Sequence, residues 1–377
     1  MKNRKVLWII IALLAAIAGI YGIRKIIQKM TPMEVKDPVE VVVEPSVTPE
    51  SSDDIADPGI FYQKLKNGEP VNVLVLGDSI SMGRRASEAS KEFINLTAEW
   101  IRSNYGVECT LTNLSMGGTV SFAGIATEKM LDDGLDYDLT IICFGQNDDE
   151  WEGMPIEYEG IIRETWNKYP NSSIICVLES SQMDYTWKIQ QIQEIAGHYG
   201  IQTADMLKAF QDFMAQGHDY SELITDVDNV HPGDLGHQIY FETLRDMIAA
   251  NVEHFEPTKK KEPLHPECVG YDTFRYVPRE QWAKVNDTTW KLTVTEPFSA
   301  ALAISREYRD GNNAITILID GQEYQTYEMV WERGFSQDRI YAFNHEAVPI
   351  DHEIELRFAD PTVADGFYGF IFTHLSN

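Results

Sequence analysis

Four short stretches of the chain carry residue types suited to nucleophilic catalysis. Ser79 lies in residues 71–83, VNVLVLGDSISMG, where Gly77 ends the apolar run Val73, Leu74, Val75, Leu76. Ligands of open α/β sheets bind just beyond the carboxyl ends of the strands, so a hydroxyl on this turn is a candidate nucleophile. A serine after a strand also serves as a helix N-cap, and the turn alone does not separate the two. Residues 113–118, NLSMGG, hold glycines that let backbone amides approach a substrate oxygen, or that supply a turn needing positive φ. Gly145-Gln146-Asn147-Asp148 offers a side-chain amide that can donate to an oxyanion, or an ordinary Asn-Asp turn. Asp228-Asn229-Val230-His231-Pro232 offers an imidazole as general base with a carboxylate to orient it, or the cap of the helix that follows. A serine hydroxyl is a poor nucleophile near neutral pH until an imidazole accepts its proton, so these groups amount to chemistry only if they meet.

The surrounding pattern says how they would meet. Val71, Val73, Leu74, Val75 and Leu76 form an apolar run rich in β-branched residues, as in a parallel strand buried on both faces. Phe93, Leu96, Thr97, Trp100 and Ile101 recur at helical spacing, with Gly106 as a stop. Strands are predicted over 108–114, 139–144 and 173–178, with a short one beginning at Ile201 and Gln202. Helices are predicted over 121–132, 156–169, 185–199 and 233–252. This alternation predicts a three-layer α/β/α sandwich on a parallel sheet with right-handed crossovers. Each of the four stretches then falls after a strand or just before a helix.

Taken in order, GDSIS, NLSMGG, GQND and DNVHP make residues 71–252, about half of the chain, resemble an SGNH hydrolase of the GDSL esterase and lipase superfamily. The resemblance implies a flavodoxin-like sandwich and ester hydrolysis through an acyl-serine, with Ser79 as nucleophile, His231 as general base and Asp228 as its partner. It also implies an oxyanion hole made by the Ser79 backbone amide, the Gly118 amide and the Asn147 side chain. Gly117 beside Gly118 leaves that register open by one. No cofactor and no metal is implied, and no block residue is substituted. Trp151, Tyr185 and Trp187 lie in or beside segments that follow strand ends, where they could stack on a sugar ring or simply pack. His198, His218 and His237 have no metal-ligand spacing and are read as structural. The run Asp148, Asp149, Glu150 reads as a solvated loop that would repel anionic substrates from a rim position.

The remainder of the chain sets the context. Residues 6–23, VLWIIIALLAAIAGIYGI, form an uncharged run long enough to cross a bilayer, and residues 1–30 are read as a membrane anchor. The rival is a cleaved signal peptide with Ala16 and Ala18 at its site, which would leave the protein secreted. Residues 31–58, with Pro32, Pro38, Pro45, Pro49 and Pro58 among acidic residues, read as an extended tether. A hydrolase domain is expected over 59–255 and a linker over 256–266, EPTKKKEPLHP. Residues 267–377 are predicted to form an all-β sandwich, jelly-roll-like, from seven apolar or aromatic segments divided by turns such as Asp310-Gly311-Asn312 and Asp320-Gly321. That domain would bind carbohydrate, or pack on the hydrolase and shape its cleft. The formal charge is −28, and outside the first thirty residues 25 basic side chains face 59 acidic ones, which excludes nucleic acid as a partner. Cys109, Cys143, Cys176 and Cys268 match no zinc pattern and are too few for a disulfide framework.

The expected protein is a membrane-tethered, extracytoplasmic serine esterase that removes small acyl groups, acetyl first, from a glycan or another envelope polymer. Its rivals are a lipase or lysophospholipase, an O-acyltransferase, and a non-catalytic wall-binding protein with a vestigial hydrolase fold.

Overall fold

A computed structural model describes residues 55–179, 183–225, 228–259, 261–295, 298–307, 313–328, 336–348 and 352–373. The first half of these runs β1 (Ile55–Asp57), α1 (Ile60–Asn67), β2 (Val71–Gly77), α2 (Phe93–Tyr105), β3 (Cys109–Asn113), α3 (Ser121–Met130), β4 (Leu139–Cys143) and α4 (Gly153–Lys168). It continues with β5 (Ser173–Leu178), α5 (Trp187–Tyr199), β6 (Gln202–Asp205), α6 (Met206–Ala215), α7 (Asp234–His254) and β7 (Thr258–Lys259). Strands β2 to β6 pair in parallel in the order β3-β2-β4-β5-β6.

The strand period divides the apolar side chains between two cores. Leu74 and Leu76 face a layer made by Phe122 and Ile125 of α3, Tyr158 and Ile161 of α4, and Ile189 and Ile192 of α5. Val71, Val73 and Val75 face the opposite layer, with Phe61 of α1, Phe93 and Ile101 of α2, Phe210 of α6, and Tyr240 and Leu244 of α7. The result is the predicted α/β/α sandwich. Gly106 ends α2 at φ 67°, in the left-handed region where glycine carries no Cβ penalty. Helices α1 and α6 are additions to the expected pattern. Each is short and holds on by a few anchors, Phe61, Tyr62 and Leu65 in the one, Met206, Leu207 and Phe210 in the other.

The C-terminal region forms two antiparallel sheets. One has the order β13-β12-β15-β10-β9, from β9 (Ala283–Asn286), β10 (Thr289–Val294), β12 (Ala314–Ile319), β13 (Gln322–Glu328) and β15 (His352–Phe358). The other has the order β14-β11-β16-β8, from β8 (Phe274–Pro278), β11 (Phe298–Glu307), β14 (Ser336–Val348) and β16 (Phe367–Thr373). Ile315, Ile317, Ile354 and Leu356 of the first sheet share a core with Val277, Phe370 and Phe372 of the second, so the expected sandwich is present. Asp320 and Gly321, at φ 51° and 78°, turn β12 into β13, as the Asp-Gly pair predicts. Strands β8 and β9 are additions.

Two segments expected to be extended connections are fastened to the hydrolase. β1 pairs antiparallel with β7, and the buried Asp57 accepts from Gly59 N–H at 2.7 Å and Ser173 Oγ at 3.0 Å. Past β7, the fully buried Glu159 of α4 accepts from Leu264 N–H at 2.7 Å, His265 N–H at 2.8 Å, His265 Nδ1 at 2.7 Å and the Tyr199 hydroxyl. No helix among the described residues is long and apolar enough to cross a membrane. The run 6–23 expected as an anchor, the tether up to residue 54 and the turn 310–312 lie outside the described residues.

Candidate active site

The turn after β2 is held from below. A Cβ on Gly77 would stand 2.1 Å from Ser81 Oγ and 2.6 Å from the Cys143 carbonyl oxygen, so only glycine lets β2 and the turn approach β4 this closely. Asp78 N–H donates to the Cys143 carbonyl at 3.1 Å, and Asp78 Oδ1 accepts from Ile80 N–H at 2.8 Å. No regular helix follows directly, since α2 begins only at Phe93, and Ser79 is therefore free of a capping role.

His231 reaches this turn from the other end of the domain. Its loop is tied by Thr225 N–H to the His231 carbonyl at 3.0 Å and by Gly233 N–H to the Leu223 carbonyl at 2.8 Å. The N-cap of α7 is Gly233, so Asp228 and His231 are not spent on capping the helix. His231 Nε2 lies 2.7 Å from Ser79 Oγ, and His231 Nδ1 lies 3.0 Å from Asp228 Oδ2. With its proton on Nδ1, directed at the carboxylate, the ring presents Nε2 as an acceptor for the hydroxyl.

Electrostatics favour that state. Burial lowers the His231 pKa, against the opposing effect of Asp228, and Arg84 and Arg85 lower it further. The ring is thus neutral near pH 7. Burial alone would raise the Asp228 carboxyl, but four donors outweigh it: the N–H of His231, the Arg85 guanidinium, the N–H of Val230 and the His231 ring. They hold it well below the usual carboxylate range. Arg85 Nε donates to Asp228 Oδ2 at 3.0 Å, the same oxygen that faces the imidazole. Sequence reasoning missed this residue, although the doublet Arg84-Arg85 directly follows the serine turn.

The two remaining stretches close over the serine turn. Met116 N–H donates to the Gly77 carbonyl at 2.9 Å, Ser115 Oγ lies 2.8 Å from Ser81 Oγ, and Asn113 Nδ2 donates to the Ser81 carbonyl at 2.9 Å. Gly118 adopts φ 69°, the positive φ that the turn reading expects. Asn147 Nδ2 donates to Asp78 Oδ2 at 2.7 Å and to the Thr119 carbonyl at 3.2 Å. The shorter bond fixes the amide, and the longer one is the hydrogen that an incoming oxyanion can take over.

The three aromatic candidates separate. Trp151 is half-buried against the α3–α5 core and lies over Gly153, where a Cβ would meet its ring at 1.7 Å. Tyr185 donates its hydroxyl to Asp205 Oδ2 at 2.7 Å. Trp187, the first residue of α5, is 37% exposed, so of the three it presents most surface to a ligand. His237 stacks on Phe93 and bonds the Arg84 carbonyl, and burial pushes its pKa down to about 4. Asp148 is not a solvated loop residue: it is buried, and its Oδ1 accepts from Ser121 N–H at 2.9 Å.

Residues 75–239 match the GDSL-like Lipase/Acylhydrolase family. The fold is similar to the crystal structure of a two-domain esterase (CEX) active on acetylated mannans, co-crystallized with mannopentaose. That likeness has a TM-score of 0.68 and 18% identity, covering 86% of this chain and 97% of the other. A second crystal structure of a two-domain esterase (CEX) active on acetylated mannans gives a TM-score of 0.67 at 18% identity, covering 86% and 98%. No curated protein sequence matches the chain. The likeness shows a common fold over both regions, and the family match marks residues 75–239 as a GDSL-type esterase/acylhydrolase domain, followed in this chain by an antiparallel β region.

Proposed function

We propose that this esterase removes acetyl groups from a glycan outside the cytoplasm, with Ser79 as nucleophile, His231 as general base and Asp228 as its partner. The observation that carries the reading is the continuous relay Ser79 Oγ–His231 Nε2 at 2.7 Å and His231 Nδ1–Asp228 Oδ2 at 3.0 Å. As Ser79 Oγ attacks the acyl carbon, its proton passes to Nε2, and the imidazolium is stabilised by the ionised Asp228. The charge forming on the acyl oxygen is met by the Ser79 and Gly118 amides and by the Asn147 hydrogen now directed at Thr119. Nε2–H then protonates the departing sugar oxygen. Water, deprotonated by the same nitrogen, attacks the acetyl-serine and releases acetate.

The substrate class is supported by the two-domain esterase of similar fold, which acts on acetylated mannans. The exposed ring of Trp187 suits a sugar face. A net charge of −28 disfavours polyanionic polymers. The uncharged run at residues 6–23 supports a membrane-anchored protein with this domain on the outer side. The test is acetate release from acetylated mannan and other acetylated glycans, beside nitrophenyl esters of two to twelve carbons, with Ser79→Ala as control. Activity confined to long-chain esters, or activity retained by Ser79→Ala, would overturn the reading.

A further inference from the structure

Beneath the catalytic turn lies a group of ionisable residues that the steps above do not use. Glu179, the first residue after β5, is 2% exposed, and Asp78 is fully buried. Glu179 is hydrogen-bonded to Asp78 and accepts from the backbone N–H of Gln146. Its Oε1 lies 3.6 Å from Cys143 Sγ, while its Oε2 has no protein donor. Two buried carboxyls in contact cannot both be ionised at neutral pH, so one proton is held between them. Burial raises Asp78 to about 7 and Glu179 well above its usual value. The charged and titratable groups packed around Glu179 are Asp78, Asp148, Cys143 and, from α4, Tyr158. Lys188 of α5 opposes the negative charge at Asp78 and Asp148, and it donates to the Asp148 carbonyl at 2.6 Å and the Gln146 carbonyl at 3.3 Å. The turn 145–148 is therefore gripped by Glu179 at one N–H, by Lys188 at two carbonyls and by Asp78 at the Asn147 amide.

We propose that Glu179 is a positioning residue for ester hydrolysis: sharing one proton with Asp78, it fixes the turn 145–148 so that the Asn147 amide faces the acyl oxygen in the transition state. Asp78 cannot do this alone. It must stay an acceptor for Asn147 Nδ2 while carrying the repulsion of Asp148, and the proton held by Glu179 relieves that repulsion without taking the oxygen that Asn147 needs. The inference rests on the proposed role of Asn147 as an oxyanion donor, and it adds a residue that never touches the substrate.

The test compares Glu179→Ala and Glu179→Gln with Ser79→Ala in the full chain, using nitrophenyl acetate from pH 6 to 10. Glutamine can accept from Gln146 N–H and donate to Asp78 with no proton to lose. It is expected to keep kcat within about threefold at pH 7, and to hold that kcat at alkaline pH where the parent declines as the shared proton leaves. Glu179→Ala is expected to lose on the order of 100-fold in kcat with KM within about threefold, the cost of a misdirected oxyanion donor. Glu179→Ala at parental kcat, or Glu179→Gln with the parent's alkaline decline, would overturn the proposal. If the alanine variant does not fold, as read by its near-UV circular dichroism, the glutamine pH profile decides alone. An active Ser79→Ala would instead refute the serine mechanism, so the two failures are distinguishable.

Discussion

Replacing Arg85 by Met removes one charge and leaves the stem of the side chain. Its Nε and the His231 Nδ1 both lie 3.0 Å from Asp228 Oδ2, which puts the two nitrogens no more than about 6 Å apart. Two unit charges at that distance repel by about 0.7 kcal/mol in bulk water and by about 2.8 kcal/mol at an effective dielectric constant of 20. Arg85 and Asp228 are each 24% exposed, so screening favours the lower bound, and about 1 kcal/mol is the working figure. Converted at 1.36 kcal/mol per pH unit, the loss of Arg85 raises the His231 pKa by about 0.7. Catalysis requires neutral His231, so kcat/KM falls as pH drops through that pKa. The acid limb of Arg85→Met should therefore sit about half to one unit higher than in the parent.

The assay is kcat/KM for nitrophenyl acetate between pH 4 and 9. Arg85→Lys, which keeps the charge, should restore part of the shift. The alkaline plateau should fall only several-fold, because Asp228 keeps two backbone donors, Val230 N–H and His231 N–H, each at 3.1 Å. An acid limb that stays in place or moves down would refute this reading of Arg85, whatever happens to the plateau.

Other outcomes follow from the same contacts. Gly77→Ala forces a Cβ to 2.1 Å from Ser81 Oγ and 2.6 Å from a backbone oxygen, and it should cost about 1–3 kcal/mol of stability and at least about tenfold in kcat; thermal melts and kinetics on one preparation check both. Asn147→Ala should lower kcat on the order of 100- to 1000-fold with little change in KM, because the amide counts only once the oxyanion forms. Glu159→Ala strips the acceptor from two backbone amides, the His265 ring and Tyr199, and should cost about 2–3 kcal/mol and open the segment 256–265 to trypsin. Stability should also fall as pH rises. Burial raises Asp57 and Asp148 to about 6 and Glu92 to about 7, so their contributions are complete below the unfolded value near 4 and are lost through pH 6–7. Asp228 and Asp234, both depressed, act in the opposite sense only below about pH 4, and His231 and His237, both lowered by burial, act in the opposite sense up to about pH 6.5 but are outnumbered by the raised carboxyls. A melting temperature higher at pH 8 than at pH 5 would contradict the burial of these carboxyls.

Legibility in the sequence followed locality. Strands β2, β4 and β5 are short apolar runs, buried nearly throughout, and their boundaries at Gly77 and Cys143 are within a residue or so of the expected ones. Helix α6 is absent from the expected pattern although Met206, Leu207, Phe210 and Phe213 recur at helical spacing, and β9 is only four residues long and exposed throughout, so its alternation is too brief to stand out. The site divides in the same way. Ser79, Asn147, Asp228 and His231 stand in compact blocks at element ends, so type and place could be read together. Arg85 has its partner 143 residues away, and Glu179 meets Asp78 across the sheet. Their roles exist only where the chain has folded.

The β domain carries the same lesson into its own function. Residues 367–373 read as one apolar run because β16 is buried on both faces: Phe370 and Phe372 enter the sandwich core, whereas Ile371 and Tyr368 pack with Phe122 and Tyr158 of the hydrolase. Tyr276 and Val277 of β8 divide likewise, and Tyr271 meets Phe122 edge-on at 5.9 Å. The proline-rich, charged composition of residues 256–266 suggested a free linker, but the sheet beyond it supplies part of the hydrolase core. Removing residues 267–377 would uncover that core, so lost activity in a truncated chain would report damage to α3 and α4 as readily as lost glycan binding. A binding role for the sandwich is tested only by substitutions on surface that it does not share, such as Tyr324 of β13, which is 47% exposed and lies on the sheet none of whose described residues joins the hydrolase core. Weaker binding to acetylated mannan in Tyr324→Ala, at unchanged turnover of nitrophenyl acetate, would assign the glycan contact to that sheet; equal binding would leave the sandwich with its packing role.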